Sequence, residues 1–474
     1  MFTKVSKFFE NATWFKCIYF LLVLLSFNSL CALRSGMSYF SYAVALLGGL
    51  VVLFRLLSFK KYISARGIVW LVLFCGSYFL SALLTRQYGL MENIQAVIWM
   101  VVQFFIIYTY DNSAPIEQDK KEIKILGWLF LGYTFIMSAA AIVMLITDYN
   151  NYRPAGDTAV ISGFLWNRLW GLYTDPNYGA VFSIISMVLS VAFYKASKKS
   201  VRVFFIVNIV FQILYITFSD SRTALVALMV TVFAATFLLL LRAKKLEKHK
   251  VPAKAVISVV LALVLAVGSA VTIAVVQKTG NELKVLQYEY NAKHKGDAED
   301  EVPDTIIGRT DSDINNDVSN RRFAIWQSGL EIFKTSPMTG ITFRNYIPYA
   351  KEHLPNTYIV HNDSGDFASL HNSFVDVLVS QGALGMGLLL CFIISVLIVF
   401  FRRFFKCNDE EYRYNTFLLL MFLPVLVSMM FYSETFYMNT GGAFLFWAFL
   451  GYFMHSLNRS APQPKLLAKI TGEK

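Results

Sequence analysis

The feature that most constrains this chain is a run of apolar residues long enough to cross a bilayer, repeated from one end to the other. A hydrocarbon core about 30 Å thick is crossed by a helix of about 20 residues. Of the 474 residues, 56% are hydrophobic and only 16% are charged, and the mean hydropathy is +0.52. No single soluble core buries so many apolar side chains, so the composition indicates an integral membrane protein.

About twelve runs meet this length criterion. They are residues 13–33, 39–54, 67–84, 94–110, 125–147, 178–194, 203–218, 223–241, 255–276, 374–401, 416–432 and 440–454. The first run lacks a convincing small-x-small cleavage site, so we interpret it as a retained span and not as a signal peptide. The expected fold class is all-α: a polytopic transmembrane helical bundle of about twelve helices, with one large exported loop that contains amphipathic helices.

Basic residues predict the orientation of these spans. Lys and Arg concentrate in residues 4–7, 55–66, 120–124, 195–202, 242–254 and 402–413 and in the tail after residue 459, and all of these connections fall on the same side. The positive-inside rule then assigns both termini to the cytoplasm. Much of the formal charge of +12 is therefore topological. Because it is scattered over juxtamembrane loops, it does not indicate nucleic-acid binding.

The two longest connections lie on the opposite, exported side. A first exported loop covers residues 148–177, and a much larger one covers 277–370. The predicted organisation is spans 1–9 in residues 1–276, the large loop in 277–370, spans 10–12 in 371–458 and a cytoplasmic tail in 459–474. Loops this long usually carry function or are disordered. We expect the acidic stretch at 296–305 to be a solvated tip. The five cysteines lie in or beside spans, so no disulfide framework or cysteine metal site is predicted.

Two segments of the large loop and its end contain candidate site residues. The sequence RFAIWQSGLEIF, from Arg322, places Phe323, Trp326, Leu330 and Phe333 at helical spacing. This pattern predicts an amphipathic helix, which either lies among lipid headgroups or packs on the bundle. SPMTG at 336–340 ends it. Then LHNSFVDVLVSQGALGMG, at 370–387, places His371 and its neighbouring asparagine where the loop meets a span. The glycines at 382 and 385 within that span are expected to permit close helix packing.

Arg222, in FSDSRTALV, occupies a very short connection and must lie near the outer membrane boundary. A charge near the bilayer centre costs about 3 kcal/mol, so such residues usually line a cavity or have a partner. Pairing with Asp220, or snorkelling to the headgroups, is the structural alternative. GLYTDPNYGA at 171–180 reads by itself as a helix entrance capped by Asp175 or Asn177.

The order of these motifs resembles the O-antigen ligase and polymerase superfamily. The set is TDPNYGA, SDSRTAL, SNRRFAIW, SPMTG and HN followed by nine residues and GxxG, over residues 171–387. In one departure, Thr342 stands where the family often has a second glycine after SPMTG. The resemblance implies a GT-C-like, metal-independent glycosyltransferase without a cofactor, in the inner (cytoplasmic) membrane of a bacterium with its active site on the outer face. Its donor would be a glycan on a polyprenyl diphosphate.

The resemblance also implies roles for individual residues. Arg222 and Arg322 would clamp the diphosphate, because a guanidinium donates two hydrogen bonds to phosphate and stays charged, and Arg321 would substitute in the pair. His371 would be the general base for the acceptor hydroxyl, since an imidazole pKa near 6.5 suits this role. Further candidates for binding the acceptor or supporting the site are Asn372, Asp220, Asp175, Asn177 and His361. The DSD at 311–313 resembles metal–nucleotide motifs, but nucleotide sugars are cytoplasmic donors, so no metal ligand is predicted.

Several functions stay open at this level. We favour a polymerase of O-antigen, capsule or exopolysaccharide repeats over a ligase that transfers the finished chain to lipid A core or protein. The expected acceptor is a glycan or lipid-linked glycan, and a flippase and a chain-length regulator are candidate partners. A polytopic transporter or flippase of lipid-linked glycans is the alternative from another class, although it should show internal repeats and ionisable residues in several spans. A sensor or scaffold would need no grouping of His and Arg.

Overall fold

The computed structural model describes residues 2–32, 34–155, 158–246, 251–295, 306–308, 321–363 and 365–459. The acidic stretch at 296–305, the DSD at 311–313 and residues 460–474 of the predicted tail lie outside these residues. The α-helices of the described residues are α1 Phe2–Glu10, α2 Thr13–Ser26, α3 Ser35–Leu57, α4 Phe59–Tyr62, α5 Ile68–Leu84, α6 Leu90–Val102, α7 Ile116–Ile146, α8 Pro176–Tyr194, α9 Lys199–Phe218, α10 Arg222–Leu241, α11 Val251–Lys295, α12 Arg322–Thr335, α13 Tyr346–His353, α14 Ser373–Arg403, α15 Asp409–Ser428 and α16 Gly441–Asn458.

Every predicted apolar run overlaps one of these helices, which confirms the all-α polytopic class. Within the described residues, eight helices are long and apolar enough to cross a membrane, fewer than the twelve runs counted in the sequence. Two others, α2 and α5, are apolar but shorter. The long helices expose apolar side chains: Leu263 and Val264 on α11 are more than half exposed. Apolar surface on this scale is unfavourable in water, so these faces are suited to lipid.

The chain divides into two compact units, each described here by itself. The first unit contains Met1–Ser26, Arg34–Leu126 and Arg321–Lys474, and the second contains Phe27–Leu33 and Gly127–Asn320. In the first unit α16 is buried along nearly its whole length. A helix that is apolar on every side belongs at the centre of a bundle. Its Trp447 is fully buried, and the indole Nε1 donates to the Thr435 backbone oxygen over 2.9 Å.

Helix α14 is broken at Gly382, and the SPMTG segment fills the break. Gly382 has φ 61° and ψ −160°, a conformation essentially confined to glycine. Backbone N–H groups of Ala383 and Leu384 donate to the Pro337 and Met338 carbonyls over 2.8 and 3.2 Å. The prediction assigned Gly382 to close packing between helices. Instead, Gly382 interrupts the helical hydrogen bonds of α14, and the SPMTG segment accepts hydrogen bonds from the backbone N–H groups left free.

The second unit combines helices α8–α11 with a small antiparallel sheet. Its strands are β1 Asn150–Ala155, β2 Thr158–Leu165 and β3 Arg168–Gly171, in the order β1-β2-β3. Trp166 and Asn167 connect β2 to β3 with φ 53° and 58°, as a tight two-residue hairpin turn requires. The sequence analysis described this segment only as an exported loop, so the sheet is an addition to the predicted all-α fold.

Helix α11 does not end with its apolar run at residue 276 but continues to Lys295. At about 1.5 Å per residue, its 45 residues span roughly 70 Å, about twice the hydrocarbon thickness. The Lys284 side chain attaches the extension to the end of α7. Its Nζ lies 2.7 Å from Asp148 Oδ1 and donates to the Leu145 carbonyl over 2.6 Å.

Candidate functional site

His371 lies in a tight turn directly before α14. Its φ of 49° is in the left-handed region, which is uncommon for a residue other than glycine. The next residue, Asn372, caps the helix: its Oδ1 accepts from the N–H groups of Phe374 (2.9 Å) and Val375 (3.2 Å). Its Nδ2 donates to the Met430 carbonyl over 3.1 Å. These contacts give Asn372 a structural role, which is to fix the backbone that presents His371.

Arg322 and His371 contact the same tyrosine. The Arg322 guanidinium carbon lies 5.5 Å from the ring centre of Tyr432 and 5.5 Å from that of Phe431. The His371 ring packs edge-to-face against Tyr432, with centroids 6.4 Å apart. Both predicted groups therefore lie within 6.4 Å of one ring centre. A cation over an aromatic face is stabilised by the ring quadrupole, so the Tyr432 ring helps to place the Arg322 guanidinium.

Helix α12 places Arg322 by packing over the turn that precedes α14. A Cβ on Gly329 would lie 2.9 Å from a methyl group of Leu370, so the small residue permits close approach. The helix is confirmed, but its buried residues are Ile325, Ser328, Gly329 and Ile332. Phe323 and Leu330 of the predicted stripe are 69% and 46% exposed. The packed face is inconspicuous in the sequence because two of its members are Ser and Gly.

Asp376 is a buried carboxylate that the sequence analysis missed. It is 1% exposed, and its Oδ1 accepts from the backbone N–H of Leu370 over 3.1 Å. Its Oδ2 has no hydrogen-bond partner among the described residues. Burial raises the pKa of Tyr346, so its hydroxyl stays protonated and donates to the Asp376 carbonyl over 3.0 Å. Asp376 thus holds the residue that precedes His371; an acidic group inside an apolar span was the available signal.

In the second unit, Arg222 is the first residue of α10. Ser221 caps that helix, with its Oγ accepting from the Ala224 N–H over 3.2 Å. Asp220, at φ 48°, accepts from Gln277 Nε2 on α11 over 3.2 Å. These contacts cap α10 and join the connection to α11, and Arg222 starts from a helix N-terminus, where the backbone favours negative charge.

Arg222 lines a groove of about 280 Å³. The other lining residues are Asp220, Ala274, Gln277, Lys278, Asn281, Ile307 and Gly308. Asn281 Oδ1 accepts from the N–H groups of Ile306 and Ile307 over 2.8 and 2.9 Å, which attaches this short segment to α11. The described lining contains two cations, Arg222 and Lys278, and one carboxylate. This balance favours an anionic ligand, and Lys278 is a contributor that the sequence analysis did not identify.

Arg168 joins two predicted motifs of this unit. Its Nε donates to the Ser219 carbonyl over 2.9 Å and its Nη2 to Asn177 Oδ1 over 2.8 Å. Asp175 caps α8, as predicted, by accepting from the Asn177 N–H over 2.7 Å. Asp175 and Asn177 therefore shape the backbone, and Arg168 ties TDPN to SDSR.

The remaining candidates occupy exposed positions in the first unit. Arg321 precedes α12 with φ 67°. His361 lies in a turn, where its backbone N–H donates to the Thr357 carbonyl over 2.9 Å. No group of three or more His, Cys, Asp or Glu side chains in the described ranges is arranged to hold a metal ion. The structure thus groups Arg322 with His371 in one unit, and Asp175, Asn177, Asp220 and Arg222 in the other.

Comparison with known families finds a match over part of the region that contains the motifs, from SDSRTAL onward. A family model described as O-antigen ligase matches residues 207–390. This range includes Arg222, Arg322 and His371, and it also contains the SPMTG segment and the break in α14. A search of curated proteins gives no match.

Proposed function

On the match of residues 207–390 to the O-antigen ligase family model, we propose that this chain is a member of the O-antigen ligase and polymerase superfamily and that it transfers a glycan from a polyprenyl diphosphate. The acceptor is a hydroxyl group on a second glycan. The observation that carries the proposal is the shared contact of Arg322 and His371 with Tyr432, because it groups a permanent cation with a titratable base.

The proposed reaction needs both groups. His371 removes the proton of the acceptor hydroxyl as its oxygen attacks the anomeric carbon, with inversion. The bond from that carbon to the diphosphate oxygen breaks, and the polyprenyl diphosphate leaves with the electron pair. Arg322 stabilises the negative charge that develops on the leaving group. Neither step requires a metal ion.

Arg222 is proposed as a second ligand for the phosphates of the donor. It shares its groove with Lys278, and the N-terminus of α10 adds favourable backbone donors. Replacing Arg222 with Lys retains the charge but loses the planar pair of donors. We expect weaker donor binding in that variant, measured as a raised KM for the lipid-linked substrate.

We propose that the product is a polymer of repeat units, formed on the outer leaflet of a bacterial cell membrane. A flippase would supply the lipid-linked repeat, and a regulator would set the chain length. Purified protein incubated with a lipid-linked repeat distinguishes the alternatives. A ladder of products means polymerase, and a single transfer to a different acceptor means ligase. No transfer to either acceptor would contradict the proposal and favour transport. A chelator should leave the rate unchanged.

His371→Ala tests the assigned base. General-base assistance typically contributes about 10² to 10⁴ in rate, so we expect a loss of that size with an unchanged KM for the donor. His294→Ala is the matched control, because His294 is exposed and its ring packs on Tyr290, one turn earlier in the same helix. Wild-type turnover in folded His371→Ala protein would rule out the assigned base and leave the family assignment intact.

A further inference from the structure

An exposed aromatic cluster on the three-stranded sheet has no role in the proposed reaction. It consists of Tyr152 on β1, Trp166 in the turn between β2 and β3, and Trp170 on β3. Trp166 is 63% exposed and Tyr152 is 53% exposed. By the positive-inside prediction, the sheet lies on the exported side. Exposed apolar patches, unlike single apolar residues, mark binding surfaces.

Trp166 is the central ring of this cluster. Its ring centre lies 6.1 Å from that of Tyr152 and 6.1 Å from that of Trp170, and the ring planes are inclined by 62° and 72°. Both contacts have the edge-to-face geometry that aromatic pairs prefer. They hold the indole in place, while most of its surface stays exposed.

The backbone of Trp166 has a conformation that suits other residues better. Its φ is 53°, and that of the next residue, Asn167, is 58°. A two-residue turn of this kind favours Asn, Asp or Gly, and a bulky residue with positive φ is an outlier. Strain of this kind is concentrated at functional sites. The turn does not need a tryptophan, so the exposed indole indicates a use at the surface.

The hairpin turn is joined to the groove that contains Arg222. The backbone N–H of Gly308, which lines that groove, donates to the Asn167 carbonyl over 2.8 Å. Directly after the turn, Arg168 Nε donates to the carbonyl of Ser219, three residues before Arg222, over 2.9 Å. Both links lie within the second unit. A ligand that extends out of the groove therefore comes within reach of the aromatic cluster.

We propose that Trp166 and Tyr152 bind the glycan of the lipid-linked donor by stacking on its sugar rings. The inference rests on the proposed function, in which the donor phosphates lie in the Arg222 groove. A pyranose ring has an apolar face of C–H groups with partial positive charge, and the face of an aromatic ring is negative. The groove would hold the charged end of the donor, and the cluster would hold its uncharged sugars.

The alternative occupant is the membrane itself, because Trp and Tyr are common at the lipid–water interface. Two probes separate the occupants in native mass spectrometry of the purified full-length protein. One is the lipid-linked glycan extracted from cells that lack this protein, and the other is polyprenyl diphosphate without a sugar. Stacking on sugars affects only the first probe, whereas a contact with lipid affects both.

Trp166→Ala should weaken binding of the lipid-linked glycan about five- to tenfold and leave binding of polyprenyl diphosphate unchanged. Trp166→Phe keeps a ring and should retain most of the affinity, whereas Trp166→Leu keeps only apolar character and should not. Tyr290→Ala is the matched control, since Tyr290 is 62% exposed on α11 and lies outside the groove lining.

A stability measurement excludes a general folding defect. Trp166→Asn should lose glycan affinity like Trp166→Ala but unfold at a temperature no lower than that of the wild type, because Asn suits the turn. An equal loss for both probes, or no loss for either, overturns the proposal. Wild-type protein that binds neither probe would contradict the proposed function itself.

Discussion

Thr342 carries a backbone conformation that suits glycine better than threonine. Its φ is 67° and its ψ is 153°, and it is fully buried. A β-branched residue there is a genuine outlier, and such strain costs about 1–3 kcal/mol. The resemblance pointed to this residue as the one departure from the family pattern. The turn has a backbone geometry typical of glycine although a threonine occupies it.

Two substitutions at this position should therefore rank in an unusual order. Thr342→Gly relieves the strain but loses the whole buried side chain, whereas Thr342→Ala loses the methyl and hydroxyl groups, keeps the Cβ and keeps the strain. We expect Thr342→Gly to be more stable than Thr342→Ala by about 1–3 kcal/mol. Thermal unfolding of both purified variants measures the difference. An alanine variant as stable as the glycine variant would contradict the assigned strain.

We expect Asp376 to position His371 through the backbone of Leu370. Asp376→Ala removes the acceptor of the Leu370 N–H, so the turn that carries the imidazole should loosen. We expect kcat to fall about tenfold, which corresponds to an activation free energy higher by roughly 1.4 kcal/mol, with KM nearly unchanged. Asp376→Asn retains a carbonyl oxygen and should restore most of the rate. An equal loss in both variants would instead indicate that the negative charge matters.

Helix α14 illustrates how an element depends on a single glycine. A Cβ at Gly382 would lie 2.4 Å from the Met338 carbonyl carbon, far inside van der Waals contact. Gly382→Ala should therefore displace the SPMTG segment and destabilise the protein by about 3 kcal/mol or more. Gly387→Ala, in the same helix, has no atom within 4 Å of its Cβ and should be neutral or slightly stabilising. Comparable unfolding temperatures for the two variants would refute the assigned break.

The elements were predictable where the bilayer selects them. Each apolar run became a helix because backbone groups in hydrocarbon must be satisfied within the segment. Outside the spans this constraint disappears. The polar half of α11 is held by Lys284, whose partners lie at the end of α7, far away in the sequence. The sheet depends on tight turns. The face of α12 was misjudged because Gly329 packs through its lack of a side chain.

At the scale of the whole molecule, the distribution of basic residues predicts an orientation. In a cysteine-free background, Phe323→Cys and Lys60→Cys would occupy exposed positions on opposite sides of the membrane. An impermeant thiol reagent added to intact cells should label Phe323→Cys and not Lys60→Cys. Permeabilised cells should label both. The reverse pattern would invert the topology and place the proposed chemistry on the cytoplasmic side.

Part of the candidate site was predictable because charged and titratable side chains are unusual at a membrane boundary. Arg322 and His371 stand out because a cation and an imidazole at a membrane boundary are costly unless used. Tyr432 does not, because aromatic residues are common at that depth and its contacts join distant parts of the chain. The sequence analysis therefore named the two proposed reacting groups but not the ring that both of them contact.

The junction between SPMTG and α14 has a practical consequence for mutagenesis. Its hydrogen bonds run from the amides of Ala383 and Leu384 to the carbonyls of Pro337 and Met338. No side-chain atom takes part in these two hydrogen bonds, so alanine substitutions at residues 336–339 leave both acceptors in place. An ester in place of the amide at residue 383 removes one donor directly and measures what that hydrogen bond contributes, separately from the displacement expected in Gly382→Ala.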